Sequence, residues 1–107
     1  MNANPNLPWS EQFRIVAKQW VDADAAADIL EELKSATLAQ LITELGDMPV
    51  NRAETKVKSD VEWQAYIRSM VEARQKANRL KVQMEYLRMK FQEWSSHEAT
   101  KRTEARL

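Results

Sequence analysis

The stretch from Trp63 to Trp94 holds an apolar residue at every a and d position of a seven-residue repeat. The a positions are Trp63, Met70, Ala77, Met84 and Phe91, and the d positions are Tyr66, Ala73, Leu80, Leu87 and Trp94. None of these seam residues is charged, although Arg and Lys are frequent between them. A seam kept over several heptads is typical of a helix that packs lengthwise against other helices. It predicts an all-α fold, a long antiparallel helical hairpin or coiled coil.

The composition supports the same fold class. The chain has one Gly in 107 residues, which leaves few positions for tight turns and argues against a β sandwich or barrel. It has no Cys, so we expect neither a disulfide framework nor a thiolate zinc site. No apolar run approaches the roughly 20 residues that span a bilayer, and the N-terminus lacks the features of a signal peptide. We therefore expect a cytoplasmic protein that is not in a membrane.

The first half of the chain predicts one helix after an irregular lead. Residues 1–9 contain two Pro and three Asn, which favours an irregular segment. Apolar residues then recur at helical spacing, and Ser10 is a suitable cap, so residues 10–45 are predicted to form the first helix. The Asp residues near 22–24 are also good caps, and we expect any kink there.

A longer second helix should follow one connection. Gly46 stands where the residue after a helix C-terminus belongs, so residues 46–55 are predicted to form the connecting loop. Residues 56–107 contain neither Pro nor Gly and predict a single long helix. Because the second helix is longer, its end, with Phe91 and Trp94, lacks a partner within the chain. Leaving a large apolar side chain in water costs about 1.5–3 kcal/mol, so we expect a homo-oligomer or a partner helix to cover them.

Charge is unevenly distributed along the chain. Residues 1–50 carry eight acids and three bases, whereas residues 51–107 carry thirteen bases and eight acids. One explanation is that the acidic first helix lies antiparallel to the basic second helix, with Asp28, Glu31 and Glu32 facing Arg and Lys. Parallel copies would instead set base against base beside the seam. The other explanation is that the basic half binds nucleic acid.

The candidate nucleic-acid contacts are bases that point away from the seam or lie beyond the shorter helix. Lys and Arg along a helix can follow phosphates, and an exposed Tyr can stack on an unpaired base. The candidates are Arg68, Arg79, Tyr86, Arg88, Lys90, Lys101 and Arg102. The structural alternative is that the aromatic residues of this stretch are core and the bases form a solvated face.

No residue pattern predicts catalysis or a cofactor. His97 is the only imidazole and cannot supply a zinc site by itself. Glu31 and Glu32 are adjacent and point to different faces of a helix, so they do not form a catalytic carboxylate pair. There is no Gly-rich phosphate loop. We expect no enzyme activity, no catalytic or metal-binding residue, no cofactor and no small-molecule substrate.

The run ARQKANRLKVQMEYLRMKFQEWSSHEATKRTEARL, residues 73–107, resembles the C-terminal half of small helical proteins from tailed bacteriophages. Those proteins pair long helices and end in a similar EAT-R-E-R pattern. The matching residues are Glu98, Ala99, Thr100, Arg102, Glu104 and Arg106. The stretch WVDADAAADILEELKSATLAQLI likewise resembles their first helix. The resemblance implies a phage early-region accessory protein, of a kind often encoded near single-strand annealing or single-strand-binding proteins, and a location in the host cytoplasm.

Three functions remain open at this point. The resemblance favours an accessory protein for phage DNA recombination or replication, which binds single-stranded DNA weakly or contacts a DNA-processing protein. The second is a counter-defence protein that blocks a host nuclease or CRISPR-type immune complex, with the acidic segment from Asp22 to Glu32 imitating phosphates. The third is a structural coiled-coil assembly protein.

Overall fold

A computed structural model describes residues 6–107 of the chain. This described part contains four α-helices and no strand, which confirms the all-α prediction. The helices are α1 (Trp9–Glu32), α2 (Lys34–Glu44), α3 (Val50–Lys58) and α4 (Val61–Arg106). The residues group into two compact units. The hairpin unit is Ala23–Ala77, and the terminal unit joins the residues before Ala23 to Asn78–Leu107.

The first helix begins directly after Pro8. The Pro8 carbonyl accepts hydrogen bonds from the backbone N–H groups of Glu11 and Gln12, both at 3.0 Å. The Gln12 side chain is buried, and its amide donates to the Leu7 carbonyl at 2.7 Å. The irregular lead predicted for residues 1–9 thus gives way to helix at Trp9; residues 1–5 of that prediction lie outside the described part.

The first helical segment is interrupted at Leu33, whereas a kink was expected near residues 22–24. α1 continues through Asp24 because the neighbouring Ala residues favour helix and because the Asp24 carboxylate pairs with Arg74 instead of capping a new helix. Leu33 keeps helical dihedral angles, φ −84° and ψ −2°. Its N–H donates to the Ile29 carbonyl at 3.0 Å and its carbonyl accepts from Thr37 at 2.9 Å. The predicted helix 10–45 is therefore two helices joined with little loss of hydrogen bonding.

Gly46 ends α2 as the sequence predicted. Its φ of 75° lies in the left-handed region that favours Gly, and its N–H donates to the Thr43 carbonyl at 3.1 Å. The preceding residue, Leu45, donates to the Ile42 carbonyl at 3.1 Å. These bonds satisfy carbonyls that the helix end would otherwise leave without donors.

Much of the predicted loop 46–55 is helical, and the last helix begins later than predicted. α3 starts at Val50 and buries Ala53 and Val57, which are four residues apart and so share one helix face. α3 packs against α2, which supplies the apolar contact that such a short helix needs. α4 begins at Val61 rather than residue 56, after Asp60, whose carboxylate accepts from the Glu62 N–H at 3.2 Å.

Within the hairpin unit, α1 and α4 run antiparallel. The Tyr66 hydroxyl of α4 donates to the Leu30 carbonyl of α1, and Arg74, farther along α4, binds Asp24, earlier in α1. Trp63 is buried and stacks on Tyr66 with ring centroids 5.8 Å apart. A helical hairpin is therefore the arrangement of this unit. In the terminal unit, the buried apolar side chains come from both chain segments: Val16, Leu80 and Leu87.

The middle of the α4 seam requires a small side chain. Ala77 of α4 and Ala27 of α1 are both completely buried. We predict that Ala77→Leu lowers the free energy of unfolding by about 1–3 kcal/mol, because the added carbons have no space. Gln75→Leu, at an exposed position of the same helix, is the matched control and should change stability little. Thermal and urea unfolding followed by circular dichroism measure both; equal stability of the two variants would contradict a close-packed position 77.

Candidate interaction surfaces

The predicted seam residues fall into a covered group and an exposed group. Those from Trp63 to Leu87 are buried or partly buried; they are Trp63, Tyr66, Met70, Leu80, Met84 and Leu87. The last two, Phe91 and Trp94, are 46% and 48% exposed. The seam is therefore a packing face for most of its length and remains uncovered at its C-terminal end.

The exposed end of the seam adjoins an apolar cavity in the terminal unit. The Phe91 and Trp94 rings contact each other, with centroids 6.1 Å apart. The cavity has a volume of about 320 Å³ and is lined by Trp9, Ser10, Phe13, Leu87, Arg88 and Phe91. Arg88 is the one charged residue of this lining, and its guanidinium lies 6.0 Å from the centre of the Phe13 ring, within reach of a cation–π contact. We call Trp9, Phe13, Phe91 and Trp94 the aromatic end surface.

Beyond Trp94 the helix is polar. Every residue from 92 to 107 is exposed except Glu98, which is half-buried. The positions that would continue the seam are Glu98 and Lys101, which form an ion pair at 3.8 Å on the same helix. Arg102 donates from Nε to the Glu98 backbone carbonyl at 3.4 Å. The apolar surface therefore stops at Trp94, and a charged helix end follows it.

A second site, in the hairpin unit, is an arginine held by three carboxylates. The Arg74 Nη1 and Nη2 atoms lie 2.6 Å from Asp24 Oδ1 and Asp28 Oδ1, and its Nε lies 2.8 Å from Glu31 Oε2. The three acids stand at i, i+4 and i+7 of α1, so they share one face. Arginine suits this role because its planar group offers five N–H donors. We call these four residues the Arg74 cluster.

Hydrogen bonding inside the Arg74 cluster favours the charged forms of Glu31 and Arg74. The bond that Arg74 donates lowers the pKa of the Glu31 carboxyl group, against a smaller opposing effect of desolvation. Hydrogen bonds with Glu31, Asp24 and Asp28 raise the pKa of the Arg74 guanidinium. The sequence predicted that Asp28 and Glu31 face a base, and they do. From the sequence, Asp24 was expected to cap a helix and Glu32 to be the third acid facing a base. In the structure the third acid is Asp24. The i, i+4, i+7 spacing of the acids at 24, 28 and 31 was the signal that identifies the three acids bound to Arg74.

The candidate nucleic-acid contacts are divided between the two units. Arg68 belongs to the hairpin unit, and the others belong to the terminal unit: Arg79, Tyr86, Arg88, Lys90, Lys101 and Arg102. Arg88 lies against Phe13, whereas Lys101 and Arg102 contact Glu98. Within residues 6–107, Arg68, Arg79 and Lys90 take part in no ion pair. Tyr86 is 49% exposed.

Neither metal-binding clusters nor membrane-spanning helices are found in the described residues. No group of three or more His, Cys, Asp and Glu side chains there is arranged to hold a metal ion. None of the four helices has the length and apolar content needed to cross a membrane.

Comparisons with known proteins do not assign this chain to a family. No family model matches it, and neither the curated proteins nor the solved structures include a match. The resemblance to phage accessory proteins therefore stays a prediction.

The Arg74 cluster predicts a pH-dependent contribution to stability. The folded-state pKa of Glu31 lies below its unfolded value, so its stabilising effect is present above the unfolded pKa and is lost as pH falls through the folded pKa. Glu31→Gln should lower the melting temperature at pH 7, and the difference from wild type should shrink in acid.

The matched control is Glu32→Gln, since Glu32 is adjacent, exposed and in no ion pair within the described residues. Thermal melts at neutral and acidic pH compare the two variants with wild type. Equal melting temperatures for Glu31→Gln and Glu32→Gln at pH 7 would show that the cluster does not stabilise the fold.

Proposed function

We propose that this chain is a non-enzymatic helical assembly protein whose aromatic end surface binds a second copy of the chain. The observation that carries the proposal is the pair Phe91 and Trp94, which continue the packing seam but are about half exposed beside an apolar cavity. Contiguous exposed aromatic residues mark interaction sites, and aromatic anchors contribute most of the binding energy of such sites. Covering each ring would contribute about 1.5–3 kcal/mol before the costs of association.

A second copy is the partner that the chemistry favours. The same surface on another chain offers matching aromatic side chains, and the helix that follows it carries both signs of charge: Glu98, Lys101, Arg102 and Glu104. A surface with this mixture can be complementary to itself when two copies meet through a two-fold axis. An exclusively acidic or basic partner would meet like charges on some of these residues.

The counter-defence alternative has less support. It requires free carboxylates on α1 to imitate phosphates, but Asp24, Asp28 and Glu31 are bound to Arg74. Asp22 and Glu32 remain exposed. Two separated acids offer a weak imitation of a nucleic-acid backbone, which carries a charge at every phosphate.

Self-association is tested by removing the two exposed aromatic residues. Wild type should show a mass that rises from 12.5 kDa towards twice that value with concentration in sedimentation equilibrium. Phe91→Ser/Trp94→Ser should remain at 12.5 kDa over the same range. Both side chains are exposed, so circular dichroism should show retained helix.

Tyr86→Ser/Met89→Ser is the matched control. These residues are 49% and 55% exposed on the same helix, outside the aromatic end surface, so this variant should associate as wild type does. A wild type that is monomeric at every concentration would refute the proposal, as would a Phe91→Ser/Trp94→Ser variant that associates with unchanged affinity.

Single-stranded DNA binding, in a phage recombination or replication role, is the second candidate. It is favoured by Arg79, Tyr86 and Lys90, which stand at i, i+7 and i+11 of α4 and so share one face. The two bases are free of ion pairs within residues 6–107, and the ring between them is half exposed. The terminal unit also carries nine bases against six acids. Phosphates would bind the bases, and a base stacked on Tyr86 would add about 1–3 kcal/mol.

Fluorescence anisotropy with a labelled single-stranded oligonucleotide tests this second candidate. Affinity should be weak, independent of sequence and lower at higher salt, by about 0.7 log units per log unit of salt for each contacted phosphate. Arg79→Glu/Lys90→Glu/Arg102→Glu should abolish binding, because it reverses both bases of that face. The control Arg52→Glu/Lys76→Glu/Lys81→Glu makes the same charge change at three exposed bases elsewhere and should retain most of it. No binding by wild type at low salt, or equal loss in both variants, would exclude direct contact through the candidate residues.

A further inference from the structure

We infer that the two copies pair antiparallel along the ends of their α4 helices, with the two-fold axis beside Trp94. This inference rests on the proposed self-association and adds its geometry. Around such an axis, residues equally far before and after Trp94 face each other across the interface. Residues three, four and seven positions from Trp94 lie on its side of the helix, so these positions decide whether the pairing is favourable.

The charges four residues from Trp94 are complementary. Lys90 precedes Trp94 by four positions and Glu98 follows it by four. In the antiparallel pair, Lys90 meets the partner's Glu98, and the symmetry makes this contact twice. Both side chains are half-buried. Lys90 has no ion pair within the described residues, and the ion pair of Glu98 with Lys101 is long, at 3.8 Å. Both groups are therefore available for a contact between copies.

The remaining facing positions bring apolar and aromatic groups together. Trp94 meets the partner's Trp94, and Phe91, three positions earlier, meets the partner's His97. Offset stacking of such rings contributes beyond their area alone. Leu87, seven positions before Trp94, is already buried, so the partner's Lys101 meets no like charge there. No charge at these positions faces a like charge.

Other pairings of the same helices are less favourable. In a parallel pair each residue faces its own copy, which sets Lys90 against Lys90 and Glu98 against Glu98. An antiparallel axis one turn later, at Glu98, brings the two Glu98 carboxylates together. An antiparallel axis one turn earlier places the partner helix over Leu87. Leu87 is already buried within the terminal unit, so this contact would cover no further apolar surface. The axis beside Trp94 avoids all three problems.

Charge reversal tests this geometry directly. Lys90→Glu sets a new carboxylate against the partner's Glu98 at two places in the interface, and Glu98→Lys sets two pairs of lysines against each other there. Each single variant should weaken dimerisation about tenfold. The double variant Lys90→Glu/Glu98→Lys restores both attractions in a dimer of identical chains. An equimolar mixture of the two single variants gives opposite charges at both contacts of a mixed dimer, whether the helices pair parallel or antiparallel. The double variant is therefore the informative rescue, and it should dimerise within about twofold of wild type.

Lys81→Glu and Glu85→Lys are the matched controls, because both residues are exposed on α4 and point away from the Trp94 side. Sedimentation equilibrium gives the dimer constants, and circular dichroism confirms equal helix content. A monomeric wild type would remove the proposed function together with this inference. If wild type dimerises and neither single variant changes the affinity, self-association stands but the antiparallel geometry is wrong. In a parallel pair each residue faces its own copy, so reversing a charge replaces one pair of like charges with another and leaves the affinity unchanged.

Discussion

The apolar seam of α4 needs more cover than the terminal unit provides. α4 has 46 residues and α1 has 24, or about 69 Å and 36 Å of helix. Burial of apolar surface is the main driving force of folding, so the covered part of the seam defines the core. The same force acts on Phe91 and Trp94, which the terminal unit leaves half exposed. The proposed assembly is the continuation, between chains, of the packing that folds each chain.

Charge adds orientation to this apolar packing. Arg74 can bind Asp24, Asp28 and Glu31 together only where the three acids face α4 and Arg74 lies beside them. The Arg74 side chain is 30% exposed, so water screens these ion pairs and their main effect is on register. The cluster also uses acids that the first half of the chain has in excess. The bases of the terminal unit have no comparable set of carboxylates within the described residues, and nucleic-acid binding remains a second candidate for that reason.

Local patterns predicted the features that depend on local chemistry. The heptad repeat identified the packing face of α4, and Gly46 marked the end of α2 because only Gly adopts its backbone conformation readily. The patterns missed α3, since a nine-residue helix depends on contacts with α2 that no short window contains. Local patterns also assigned Asp24 to a helix cap, which is a common role for Asp beside a helical stretch. They could not show that Arg74, which is distant in sequence, binds the Asp24 carboxylate instead.

By itself, the sequence determined that the chain is helical, which face of α4 is apolar, and that the end of this seam carries two aromatic residues. The tertiary structure decided which seam residues are covered and which acids are neutralised. Both depend on which residues of α1 lie beside which residues of α4. That register is set by long-range contacts, such as those of Tyr66 with Leu30 and Arg74 with Asp24. Periodicity along one helix cannot specify it, because every turn of an amphipathic helix offers a similar face to its neighbour.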